Sequence, residues 1–379
     1  IVNKGRNTVE VTLQHYCGTT KIYADTVREI NVGGKIPDYR ATENYKVDSV
    51  VTVKDGIETP VSNVNVNEIQ VVSDTTVKIY YTPEESTKYG DVVFYDYQVK
   101  PDNGPGINDD SHYHGSGSDN RMIMGTKKQT GVDYNAYGKV DENTQEAKNA
   151  NIYNSGDQGI TKGLVIGSSP DDDYTEIIWK NDQPGFFTDD YLSEGKDKYT
   201  GYDLQLEKKG NTYKLNGVRQ PGGHIFRCNN EGSEFFPLIE SELKKDNVEG
   251  AKYYFGMRYD INFKLGDYVG PLNYSFTGDD DLWVLLDGKV VIDLGGIHDA
   301  LSATTDLWTA LGSKEGVGAI GDEAKKKNHR LTILYMERGA FKSNCKMEFT
   351  IPDPKFVDVK NVPLAEITIN KTNSNNKPL

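Results

Sequence analysis

The stretch that decides the fold is Tyr274–His298, YSFTGDDDLWVLLDGKVVIDLGGIH. At its centre, Asp287-Gly288 is a strong two-residue hairpin turn, because both central positions of such a turn need positive φ. It joins a run at 282–286 to one at 289–294. Leu282, Val284 and Leu286 alternate with Trp283 and Leu285, so both faces of the first run are apolar. A strand with two apolar faces belongs in the middle of a β-sandwich, with Trp283 in the core and Asp287 as a turn residue.

Outward from this hairpin the chain keeps the same grammar. Its 379 residues include 38 glycines and 14 prolines, and Asn/Asp clusters separate short runs rich in Val, Ile, Thr and Tyr. That pattern predicts an all-β protein: a large β-sandwich with long loop insertions, preceded by a small β-grasp-like module. Helical periodicity is confined to 238–245 (LIESELKK) and 305–311. Short strands at 9–13, 45–47, 50–53 and 76–81 mark a first module over 1–83. Pro83-Glu84-Glu85-Ser86 reads as a linker. A single large unit is expected over 84–355, with polar Gly/Asn/Asp-rich stretches at 102–121 and 131–159 as long surface loops. Ile351-Pro352-Asp353-Pro354 reads as a stop, and 356–379 holds one further strand and a turn, too little to bury a core alone.

Composition narrows the function. Lysine and arginine total 43 against 57 aspartates and glutamates, a net charge of −14. Such a chain does not bind nucleic acid through a general phosphate-neutralising surface, and anionic membranes repel it. Its surplus carboxylates suit hard cations such as calcium. No stretch approaches the ~20 apolar residues of a membrane-spanning helix, and no leader-like segment opens at Ile1, so a mature or excised fragment of a longer chain is expected. Cys17, Cys228 and Cys345 lack metal-type spacing, and three cysteines make one bridge at most. Cys345 shares parity with Met347 and Phe349 and is expected to face a core.

The residues with chemical potential cluster at the head of the apolar strand. Asp279, Asp280 and Asp281 are adjacent carboxylates that repel one another and need compensation. A calcium ion, which takes 6–8 oxygens and mixes carboxylates with carbonyls, would supply it; a solvated acidic turn is the other reading. His298 and Asp299 follow Gly295-Gly296 and are placed in a loop at the same end, with a histidine hydrogen-bonded within its own loop as the alternative. Glu337 and Arg338 end a strand. Trp308 and loop tyrosines are the candidate stacking platforms for a sugar. His112 and His114 could bracket a cation or lie in a solvated loop. No GxSxG, HExxH, P-loop or Rossmann fingerprint is present, and nothing pairs the carboxylates for glycoside hydrolysis, so catalysis is not expected.

FTGDDDLWVLLDGKVVIDLGGIHDA at 276–300, RLTILYMERG at 330–339 and Ser343-Asn344-Cys345-Lys346 resemble the fibro-slime domain, which is similar to the protective-antigen-like β-sandwich of many surface lectins. That family occurs in surface and extracellular proteins of bacteria and slime moulds. The ending VKIYYTP at 77–83 resembles the mucin-binding-protein type of β-grasp repeat, and AEITINKT at 365–372 resembles the opening of a Cna B-type domain, with Lys371 at the place of its isopeptide lysine. The lectin resemblance implies calcium held by an Asp-Asp pair, joined by a cis peptide, at Asp279 and Asp280, with Asn344 as the companion asparagine. Asp281 stands where many relatives have glycine, and Asp281, His298 and Asp299 are the adjoining ligand-binding candidates. The implied protein is a secreted, cell-surface module of a Gram-positive adhesin, a monomeric unit anchored to the cell wall through a further C-terminal region. Its partner would be a glycan or glycoprotein, bound through Ca2+. The alternatives are a structural stalk or matrix protein with purely structural calcium, and a carbohydrate-binding accessory of a secreted glycosidase.

Overall fold

A computed structural model describes residues 7–37, 39, 44–62, 65–97, 113–114, 121–122, 162–169, 176–179, 186–187, 196–215, 225–226, 235, 237, 255–278, 281–296, 300–313, 320–337 and 343–356. The chain is all-β. Among the described residues, the helices are the single turn Val66–Glu68 and the short segments Leu307–Ala310 and Asp322–Lys326, and none is long and apolar enough to cross a membrane. The helix expected at 238–245, Cys228, and everything after 356, Lys371 included, lie outside the described residues.

The first module is a five-stranded sheet in the order Thr20–Asn31, Thr8–Cys17, Thr75–Pro83, Tyr45–Lys54, Ile57–Pro60. Its first and last long strands run parallel at the centre, from Val11↔Thr75 to Cys17↔Tyr81, which is the β-grasp arrangement. Period-two alternation drives this packing. Val9, Val11 and Leu13 point inward with Val77, Ile79 and Tyr81, and Ile36, Val66 and Val71 from the connecting segments are buried with them. Asp55-Gly56, with φ of 49° and 80°, turns one hairpin of this sheet by the same device that Asp287-Gly288 uses in the next.

The second unit is one continuous 14-stranded sheet folded over on itself. One arm runs through Ile177–Trp179, Val165–Ser168, Lys289–Leu294, Asp281–Leu286, His329–Glu337 and Phe255–Phe263; the other through Thr212–Leu215, Cys345–Thr350, Asn273–Gly278 and Leu301–Asp306. The long antiparallel pair Glu85–Tyr97 and Lys196–Lys209 belongs to both. Between Tyr199↔Phe94 and Tyr202↔Val92 the register shifts by one residue, and Gly201 takes φ of 79° in that bulge. Bulges bend and twist the strand that carries them, and here the bend lets the sheet close into a sandwich. Phe276 of one arm then packs 6.2 Å from Tyr335 of the other.

All six residues of Asp281–Leu286 are buried. Leu282, Val284 and Leu286 join the sandwich interior. Trp283 faces the opposite side, where Trp179 meets it edge-on at 5.4 Å and stacks on Phe187 at 6.1 Å. The Tyr95 hydroxyl fixes this cover by donating to the Phe187 carbonyl at 2.9 Å. The strand is therefore central in two senses, between two neighbouring strands and between two apolar layers.

Two expectations need correction. Pro83-Glu84-Glu85-Ser86 is not a flexible linker: strand Thr75–Pro83 passes through Glu84 alone into strand Glu85–Tyr97. Glu84 is hydrogen-bonded on both sides, to the Asn44 carbonyl and from the Gly210 N–H, each at 3.0 Å. Pro83 is tolerated because it lies beyond the last pairing with Thr8–Cys17, where no N–H is required. Trp308 is not an exposed stacking platform: it is 1% exposed and donates its indole N–H to the Gly270 carbonyl at 2.8 Å. The helix that carries it is capped by Asp306, whose carboxylate accepts from the N–H groups of Trp308 and Thr309. Cys345 is buried, as its parity suggests.

Asp287 and Gly288 adopt φ of 49° and 77°. The Asp287 carboxylate accepts from the Arg330 N–H at 3.0 Å and from Lys327 Nζ at 3.0 Å, and lies 2.8 Å from His329 Nδ1. Burial works to raise its pKa, but the hydrogen bonds from His329, the Arg330 backbone and Lys327 outweigh this and hold the carboxyl below its ordinary value. A depressed folded-state pKa contributes stability that is present above the unfolded value near ~4 and lost as pH falls through the folded one. Asp287→Asn tolerates the left-handed backbone but loses the charge. It should lower unfolding free energy by about 1–3 kcal/mol at neutral pH, and this difference should shrink below pH ~4. Urea titrations at a series of pH values check it, and a pH-independent difference would overturn the assignment.

Candidate functional site

Of the sequence candidates, Asp281 and Asn344 are described. Strand Asn273–Gly278 lies in one arm and Asp281–Leu286, the next described strand, in the other. Asp279 and Asp280 themselves, with the peptide between them, lie outside the described residues, as do His298 and Asp299. Their neighbours are placed. Gly278 pairs with Cys345 on one side and with Leu301 on the other, which brings Asn344 beside Gly278, the residue before Asp279. Asp281 accepts the Gly296 N–H at 2.5 Å through Oδ1. Gly296 leads into 297–299 and Leu301 follows it, so the chain is fixed both before and after His298 and Asp299.

The approach at Gly278 is close enough to require glycine. A Cβ there would collide with the Asn344 carbonyl and the Phe276 ring. Ser343, just before Asn344, is fully buried. Its backbone carbonyl accepts the Phe235 N–H at 2.7 Å, and its hydroxyl lies 2.7 Å from that of Tyr335. The Tyr335 hydroxyl also donates to Glu337 at 3.2 Å. Asn344 is thus carried on a segment anchored into the core on both sides, through Ser343 and Cys345.

Asp281 is wholly buried. Its carboxylate accepts from the loop backbone, which holds the Gly295-Gly296 corner against the strand. A carboxylate overlooked in the sequence does similar work next door. Asp293 Oδ2 accepts the Gly163 N–H at 2.7 Å and Oδ1 accepts the Gly295 N–H at 3.2 Å. Burial pushes the Asp293 carboxyl up, against the opposing pull of those two backbone donors. The signal for it was Asp-Leu-Gly-Gly, since an aspartate commonly accepts from the backbone N–H two residues on.

Asp281, Asp293 and Glu337 are each engaged separately. Among the described residues, no three His, Cys, Asp or Glu side chains come together in a way that would hold a metal ion.

No protein-family model matches the chain, and no solved structure matches it. The chain is similar to several proteins of Dictyostelium discoideum. It is 28% identical to protein psiP over 194 residues, covering 46% of this chain and 23% of that protein. It is 32% identical to protein psiB over 133 residues, covering 33% and 21%. It is 38% identical to protein psiK over 135 residues, covering 32% and 17%. The chain spans less than a quarter of the length of these relatives.

The close packing at Gly278 is testable. Gly278→Ala should lower stability by about 1–3 kcal/mol, the usual range for forcing an extra carbon into a filled interior. Denaturant unfolding checks it; a variant as stable as the wild type would show that the Asn344 segment moves aside freely.

Proposed function

We propose that the chain is an extracellular recognition module of the adhesin type, which binds a glycan or glycoprotein through calcium held on loops of the sandwich. The observation that supports this reading is the contact of Gly278 with Leu301 and Cys345 and of Asp281 with Gly296, the described neighbours in sequence of the expected ligands. Sites built this way place ligand-binding loops on strands that do not move. The resemblance to the fibro-slime domain supports the same reading, with Asp279, Asp280 and Asn344 as metal ligands and Asp281, His298 and Asp299 adjoining them. Calcium with one or two coordination positions open accepts vicinal hydroxyls, which neutral sugars supply. The net charge of −14 disfavours strongly anionic glycans except where the cation screens them.

Calcium should raise the melting temperature, since a ligand that binds only the native state stabilises it, by about 2.7 kcal/mol at a hundredfold excess over Kd. Asp280→Ala should abolish both that shift and any chelator-sensitive signal on a glycan array. The sandwich itself should remain folded, because its core lies elsewhere. An unchanged melting curve between millimolar calcium and excess chelator would remove the cation from the proposal. Stabilisation by calcium with no glycan signal would favour a structural stalk whose cation pins loops. Glycan binding at full strength in Asp280→Ala would move recognition to another surface.

A further inference from the structure

A second site lies at the junction between the first module and the sandwich. Lys208 ends deep in this junction at 6% exposure, with its Nζ directly against the side-chain carbonyl of Asn44, itself 3% exposed. Lysine is almost never buried to this degree without a specific partner. The Asn44 carboxamide is held from its other side: Nδ2 donates to Asn211 Oδ1 at 2.6 Å and to Asp353 Oδ1 at 2.9 Å. Asp353 reaches in from the rim, on a turn where its own φ is 39°. Asn211 is 1% exposed and fixed through its backbone by the Tyr45 hydroxyl and the Ile351 N–H. Around the cluster, burial pushes the phenols of Tyr45 and Tyr213 up, and the charge of Asp353 adds to this.

A buried amine lies against a buried carboxamide, and a carboxylate accepts from the carboxamide nitrogen from the exposed rim; these are the components of an amide exchange. We propose that Lys208 and Asn44 form an intramolecular isopeptide bond, with Asp353 as the proton carrier. Lys208, reacting as the free amine, attacks Asn44 Cγ, and a Cγ–Nζ bond forms. Asp353 takes the proton released from Nζ and delivers it to Nδ2, which lies within its hydrogen-bond reach. The Cγ–Nδ2 bond breaks and ammonia leaves. One primary amide becomes one secondary amide, with no oxidant, reductant or cofactor. Fixing the reacting groups in this geometry supplies the effective concentration that the same pair lacks in solution. The bond ties the turn that opens strand Tyr45–Lys54 to the end of strand Lys196–Lys209, and so links the two units covalently.

Intact-mass measurement of the full chain tests this directly. The wild type should be lighter than its sequence by one ammonia, and protease digestion should release one branched peptide joining the segments that contain Asn44 and Lys208. Lys208→Arg should restore the sequence mass. Asp353→Asn, a rim substitution, should leave a folded protein in which most chains retain the full mass. A wild-type mass equal to that of the sequence would overturn the proposal, whatever the variants do. So would an ammonia loss that maps to a ring-closed asparagine elsewhere or to Lys371. A linked wild type together with a fully linked Asp353→Asn would keep the bond and remove Asp353 from its formation.

Discussion

Strand Asp281–Leu286 must be covered twice, and much of the architecture answers that requirement. One apolar face could be buried by a simple two-layer sandwich. The second, carrying Trp283 and Leu285, needs its own cover, and Trp179, Phe186 and Phe187 provide it from a part of the chain about a hundred residues earlier. Trp179, Phe186, Phe187 and Trp283 stand apart from the main core cluster, so the central sheet behaves as a partition between a large core and a small aromatic one. Burial of a large aromatic side chain is worth about 1.5–3 kcal/mol, so this cover contributes materially to holding the strand in place.

What could be read in the sequence divides along the range of the interactions. The Asp287-Gly288 turn and the two-faced strand were legible because each obeys a local rule, a φ requirement in one case and a parity in the other. The short helix near 305–311 was legible for the same reason. Trp308 was misread because exposure of a tryptophan is decided by what packs over it, and the Gly270 carbonyl that takes its N–H lies 38 positions away. Pro83-Glu84 was misread because composition marks a turn, while pairing partners contributed by Asn44 and Gly210 make the same residues a strand junction. The contact between Lys208 and Asn44 spans 164 positions and leaves no trace in spacing at all.

The candidate binding end shows the same division. Three consecutive aspartates and a Gly-Gly corner stand out in the sequence, and Asp281 was visible as part of that run. Its attachment to Gly296 was not, because it depends on two strands meeting across a hairpin whose register slips between Val284 and Leu285. Asp293 was passed over because it sits within a run that reads as plain strand, and its importance comes from Gly163, far upstream. Carboxylates that carry out positioning tend to be hidden in this way, since a buried acceptor for backbone N–H groups has no composition signature.

The absence of a hinge at Glu84 has a mechanical consequence. Tension applied along the chain would pass from strand Thr75–Pro83 straight into strand Glu85–Tyr97, and both run lengthwise beside long partners. Strands pulled along their own axis load many backbone hydrogen bonds at once, instead of opening them one by one like a zip. The junction also carries side contacts, from the Ala24 N–H to the Asp267 carbonyl and from the Val269 N–H to the Ile22 carbonyl. Resistance to pulling is set by an unfolding rate and not by equilibrium stability, so this junction gives the molecule a strength under load that its melting temperature would not reveal.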